Sequence, residues 1–168
     1  MIQQAAGAAT GPMASPIGYM ERTRRYYEAQ GFEKAYAWAH FDDIPFTPLA
    51  KPVSDSTLVL ITTMALYDRD AADVRQVASG SSREPPARLY GDDLSWDRTA
   101  THLNDRESYF PINMLDELVH RGRIGALANR FHCAPTEYSQ RRTRQTDAPE
   151  ILKRCREDGA DIALLVPI

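Results

Sequence analysis

Cysteine is scarce in this chain. Only Cys133 and Cys155 occur among 168 residues, with no CxxC or other close metal-ligand spacing. That argues against a disulfide framework and suits reduced thiols in a cytoplasmic setting. Long apolar runs are also missing, since none approaches the roughly 18 residues of a membrane span. The opening MIQQAAGAATGPMASP has neither the basic start nor the continuous apolar stretch of a secretory signal, so residues 1–15 are expected to be a flexible lead. An excess of one charge is lacking too: 20 Lys and Arg against 23 Asp and Glu leave a formal net charge of −3. Such a chain has no global field to hold nucleic acid or an anionic membrane. The four histidines, at 40, 102, 120 and 132, form no HExxH or similar pair, and no metal is expected.

What is present suits one α/β domain over residues 16–168, with a mostly parallel sheet flanked by helices. In IGYMERTRRYYEAQGF, Tyr19, Met20, Thr23, Tyr26, Tyr27 and Gln30 recur at helical spacing, between Ser15-Pro16 as a start and Gly31 as a stop. Pro45, Pro48 and Pro52 then break an aromatic stretch into an extended segment. TLVLITT, residues 57–63, is apolar without alternation, as in a strand buried on both faces. ALLVP at 163–167 has the same character. Residues 68–108 are polar and turn-rich, and are expected to be loop. Ile112, Leu115, Leu118 and Val119 make one helical face that Gly122 closes, and a short helix is expected from Ile124 to Ala128. A last helix is expected with Pro149 in its first turn, Ile151, Leu152 and Cys155 on one face and Gly159 as its cap before the final strand.

The ordered set PFTPLAKPVSDSTLVLITT, SREPP, YFPINMLDELVHRGRIGALANRF and LKRCREDGADIALLVP resembles the N-terminal half of the glycine/sarcosine/betaine reductase selenoprotein B and D-proline reductase family, from about Pro45 to Pro167. FPINML followed by RIGALA is its most specific part. The resemblance implies reductive C–N bond cleavage in an amino acid or N-methylated amine, by a thiol or selenol. In that family the strand similar to ALLVP leads into a loop bearing cysteine or selenocysteine and a further α/β half. The chain departs from the pattern there, and at Met64 and Ala65, where relatives often carry glycine. The expectation is therefore half of a larger two-part α/β assembly: one wall of an active site whose thiol or selenol lies on a second polypeptide or a further segment. A pyruvoyl group on the partner chain is the other candidate cofactor. The alternative is a noncatalytic binding or scaffold subunit of a hetero-oligomer.

Candidate residues follow. His102, similar in placement to a histidine before the FP helix of relatives, is a candidate general acid, the alternative being a surface histidine. Cys133 is a candidate thiol in a loop after a helix, with His132 beside it; the alternative is a packed cysteine. Glu137 is a candidate proton donor or a helix-start carboxylate. Arg141 is a candidate anchor for a substrate carboxylate or part of a solvated basic face. Thr62 and Thr63 end a buried parallel strand, where ligands of open α/β sheets bind.

Overall fold

The computed structural model describes residues 18–34, 37–67, 76–91, 102–136 and 139–168. The chain divides into two compact units, Met1–Ile44 and Pro45–Ile168. In the first, helix α1 spans Tyr19–Ala29 and ends where Gly31 takes a positive φ of 83°. Its helical spacing is as expected, yet it buries none of its residues. Tyr27 and Phe32 meet edge to face, with ring centroids 5.5 Å apart.

The second unit is an α/β fold on a five-stranded sheet. Strand β1, Thr57–Thr62, lies at its centre and is buried almost throughout, as its unbroken apolarity predicts. On one side β1 pairs in parallel with β3, Ala126–Leu127, and then with β4, Arg130–Cys133. On the other side it pairs in parallel with β5, Ile162–Val166. Strand β2, Ala78–Ser81, adds to β4 antiparallel, with Ser79 opposite His132.

Side chains alternate across this sheet and divide it into two faces. Leu58, Leu60, Phe131 and Cys133 join the core beneath helix α2, Ile112–His120, which supplies Ile112 and Leu115. Val59 and Ile61 pack on the opposite face with Cys155 and Ile151 of helix α4, Ala148–Glu157. Helix α2 ends before Gly122 and α4 before Gly159, both at φ 67°, a left-handed conformation that glycine adopts without steric cost. A short helix α3, Gln140–Arg142, and a π turn, Thr143–Asp147, lead into α4.

Three expectations are corrected. Residues 124–128 form no helix: Ala126 and Leu127 are strand, because Gly125 brings the chain against the start of β1, where an added Cβ would lie 2.8 Å from backbone atoms of Asp55 and Ser56. The span 68–108 contains β2, whose small residues conceal its strand character. There Gly80 is required, since a Cβ would stand 2.5 Å from Cζ of Phe131. Finally, β5 does not share the burial of β1. Its burial alternates, Leu165 is 64 % exposed, and no described strand pairs with its outer edge.

Candidate functional site

Strand β1 leads on to α2, which packs on one face of the sheet, and β4 leads on to α4, which packs on the other. Exits to opposite faces open a crevice at the carboxyl ends of neighbouring parallel strands, the usual ligand position in such sheets. On the α4 side it is continuous with an apolar recess of about 760 Å³. Thr63, Ala134, Pro135 and Ile168 stand at the strand ends of the recess, Leu165 and Ala163 form its floor, and Ile151 and Leu152 form its wall. Thr63 ties its mouth together: Ile168 N donates to its Oγ1 at 2.9 Å, and Oγ1 donates to the Ile168 carbonyl at 3.4 Å.

The expected residues do not all converge there. Thr62 is fully buried on the other face, donating to the Tyr109 carbonyl at 3.0 Å and accepting from Met64 N at 3.2 Å. Its hydroxyl fastens β1 to the segment before α2. Cys133 lies in strand β4 rather than a loop, also beneath α2, and burial pushes its thiol up to about 12. Cys155 is raised as well, by burial first and then by Asp158. Both thiols are thus held in the protonated, less nucleophilic form at neutral pH. His102 is exposed, its Nδ1 accepting from Asn104 N at 3.4 Å, and Arg141 is exposed on α3. Glu137 lies outside the described residues. Among the described residues of the expected set, Thr63 alone lines the recess.

His132 belongs to a second cluster, on the α4 face but beside β2. The antiparallel register sets Ser79 opposite His132, and alternation along β4 puts Arg130 on the same face. Arg154 of α4 donates from Nη1 to Ser79 Oγ at 2.8 Å, and Ser79 Oγ lies 2.9 Å from His132 Nδ1. Because the guanidinium only donates, the serine proton is free to point at Nδ1, and the carboxylate of Asp158 beside Nε2 favours the imidazole proton on that nitrogen. That nitrogen lies 3.5 Å from Asp158 Oδ2 and has no hydrogen-bond partner among the described residues. Asp158 is in turn held by Arg130 Nε at 2.9 and 3.1 Å.

Burial lowers the His132 pKa, with Arg130 and Arg154 adding to the shift and Asp158 and Glu157 opposing it. The ring is therefore neutral at pH 7, and Arg130, hydrogen-bonded to Asp158, is raised. Sequence reasoning missed Ser79, Arg154 and Asp158. Alternation in RFHC would have paired Arg130 with His132, but only the strand register adds Ser79. No family model, curated protein or solved structure matches the chain.

Proposed function

We propose that residues 45–168 form one wall of a reductase active site of the glycine, betaine and proline reductase type, completed by an α/β partner that brings the thiol or selenol. The observation that carries this reading is the recess itself: an apolar cavity at the strand ends, beside an exposed strand whose outer edge pairs with no described strand. Edge strands of this kind normally carry charge, proline or a bulge that discourages further pairing, whereas Ile162–Val166 has none of these. Thiol chemistry by this chain alone is disfavoured by the burial of both cysteines. A nucleophile arriving from outside removes the difficulty. In this scheme Thr63 and the strand-end backbone border the substrate, and the partner's loop covers it.

The test uses Thr63→Cys in the chain coexpressed with the products of its neighbouring genes. Oxidation is expected to link the introduced thiol to a cysteine or selenocysteine of a second chain. Reductive cleavage of glycine, sarcosine, betaine or proline, with a dithiol as electron donor, is expected only when both chains are present. Turnover by this chain alone, or a partner that leaves the introduced thiol open to alkylation, overturns the reading.

A second reading rests on a separate observation. Phe32, Phe41 and Ile44 of the first unit are exposed, as is Phe46 at the start of the second, which suits a scaffold that grips a partner by this aromatic segment. A partner footprint on Tyr26 to Phe46 that leaves Thr63 and Ile168 open would favour it.

A further inference from the structure

A second cleft, of about 470 Å³, opens on the β2 side of α4, across that helix from the recess. Ser79, Arg130, Glu150 and Arg154 line it, with Tyr67 and Gln76 at its rim. Beneath its floor lies the fully buried His132. Three polar elements of nucleophilic catalysis therefore meet here: a hydroxyl facing an open cleft, a base 2.9 Å behind it, and a carboxylate 3.5 Å beyond the base.

We propose that Ser79 is a nucleophile that takes acyl groups from small activated esters or thioesters, with His132 as its base. The idea is independent of the reductase reading and draws on none of the residues of the recess. Serine is a poor nucleophile until a neighbouring base removes its proton as the bond to carbon forms. His132 Nδ1 is unprotonated in the tautomer set by the network and accepts that proton. The imidazolium that results is stabilised by the charge of Asp158, whose Oδ2 lies 3.5 Å from Nε2. Arg154, donating at 2.8 Å, places a positive charge beside the oxygen and favours its partial alkoxide character.

The step balances without a further reagent. Ser79 Oγ forms a bond to the acyl carbon, its proton passes to His132 Nδ1, and the C–O or C–S bond to the leaving group breaks, the bonding pair leaving with oxygen or sulfur. His132 is closed to solvent by the residues over it, so it is poorly placed to protonate a departing alkoxide. That restricts the donors to those leaving as stable anions, such as phenolates and thiolates. Hydrolysis of the acyl-serine then uses water from the open cleft. The water adds to the acyl carbon as hydroxide, its other proton passing to the solvent of the cleft. The ester C–O bond to Ser79 then breaks, the serine oxygen retakes the proton held on His132 Nδ1, and the carboxylic acid is released.

The probe is p-nitrophenyl acetate with the full chain at pH 7.5, followed by release of p-nitrophenolate and by peptide mass mapping. The expected result is release above the buffer rate and an acetyl group on the peptide containing Ser79. Ser79→Ala should remove both. His132→Gln keeps an acceptor for the serine hydroxyl but cannot take up its proton, so it should slow release by about a hundredfold or more with unchanged circular dichroism. The mapping on the unaltered chain decides the matter even if a variant fails to fold. Acetylation confined to lysine, tyrosine or cysteine, release at the buffer rate, or an unaffected His132→Gln protein overturns the proposal.

Discussion

Replacing Thr62 by valine keeps the shape of a fully buried side chain and removes its hydroxyl. Two groups then lose their partner: the Tyr109 carbonyl, 3.0 Å away, and the Met64 amide, 3.2 Å away. Tyr109 and Met64 are themselves buried, so water cannot easily take the place of the hydroxyl. Each buried group left unsatisfied costs about 1–3 kcal/mol. Exchanging the hydroxyl for a methyl returns about 0.8 kcal/mol of apolar burial. The expected net loss is about 1–5 kcal/mol. Urea unfolding followed by far-ultraviolet circular dichroism measures it. With an m-value of about 1.5 kcal/mol/M, the midpoint should fall by about 0.8–3.5 M at unchanged slope. Thr62→Ser keeps the hydroxyl and loses one methyl, so it should cost only about 1 kcal/mol. A Thr62→Val midpoint within about 0.3 M of the parent would refute the reasoning, since the hydroxyl would then have another role than fastening β1 to the segment before α2.

Gly80→Ala drives a Cβ to 2.5 Å from the Phe131 ring, which is itself fixed against Phe110 at 4.5 Å. Overpacking of this kind should cost about 1–3 kcal/mol, and Phe131→Leu in the same chain should restore part of it, as thermal unfolding of the single and double variants will report. His132 titrates below its ordinary value of 6.5 because it is buried. The unfolded chain therefore binds a proton that the folded one refuses, so the stability contribution is complete above pH 6.5 and is lost as pH falls through the folded value. Urea midpoints should decline over that window, and His132→Gln should flatten the decline. With both thiols buried and raised, iodoacetamide at pH 8 should alkylate neither in the folded chain and both in urea, as intact mass will show. Leu165→Asp on the exposed edge should leave the stability of the isolated chain within about 0.5 kcal/mol while abolishing association with a partner that adds to β5, measured by analytical ultracentrifugation.

The legibility of this fold follows from where the burial lies. TLVLIT was visible because a strand covered on both faces needs no polar residues, and the two longer helices of the α/β unit were visible because each covers one face and ends at a glycine. Strands β2 and β4 were hidden for the opposite reason. ASGS carries almost no apolar surface, since it contributes the space that Phe131 fills and the hydroxyl that His132 meets. RFHC alternates cleanly, but four residues are too short a window for a period to stand out. The same shortness turned β3 into an expected helix, because IGALA has good helix formers and only the Gly125 contact with the start of β1 settles its conformation. The site was less legible than the fold. Thr63 could be placed by topology alone, as a strand end. Thr62 and Cys133 could not, because one residue of register decides which face a side chain occupies, and that register becomes known only when β1 and β4 are paired.

Alternation also explains how one helix can border two chemically different cavities. Helix α4 crosses a sheet face on which β1 and β5 present Val59, Ile61, Ala163 and Leu165, while β4 and β2 present Arg130, His132 and Ser79. The helix answers in kind, with Ile151 and Leu152 toward the apolar side and Glu150 and Arg154 toward the polar one. Moving the helix to widen either cavity must narrow or strain the other. The Arg154 bond to Ser79 is the contact that resists such movement on the β2 side. A partner seated against β5 is therefore expected to alter the chemistry of Ser79 without touching it: the rate of Ser79 acetylation should change when the recess is filled. It should stay constant under the same conditions once Arg154→Met has cut the helix free of β2. An equal partner effect with and without Arg154 would show that the two cavities act separately.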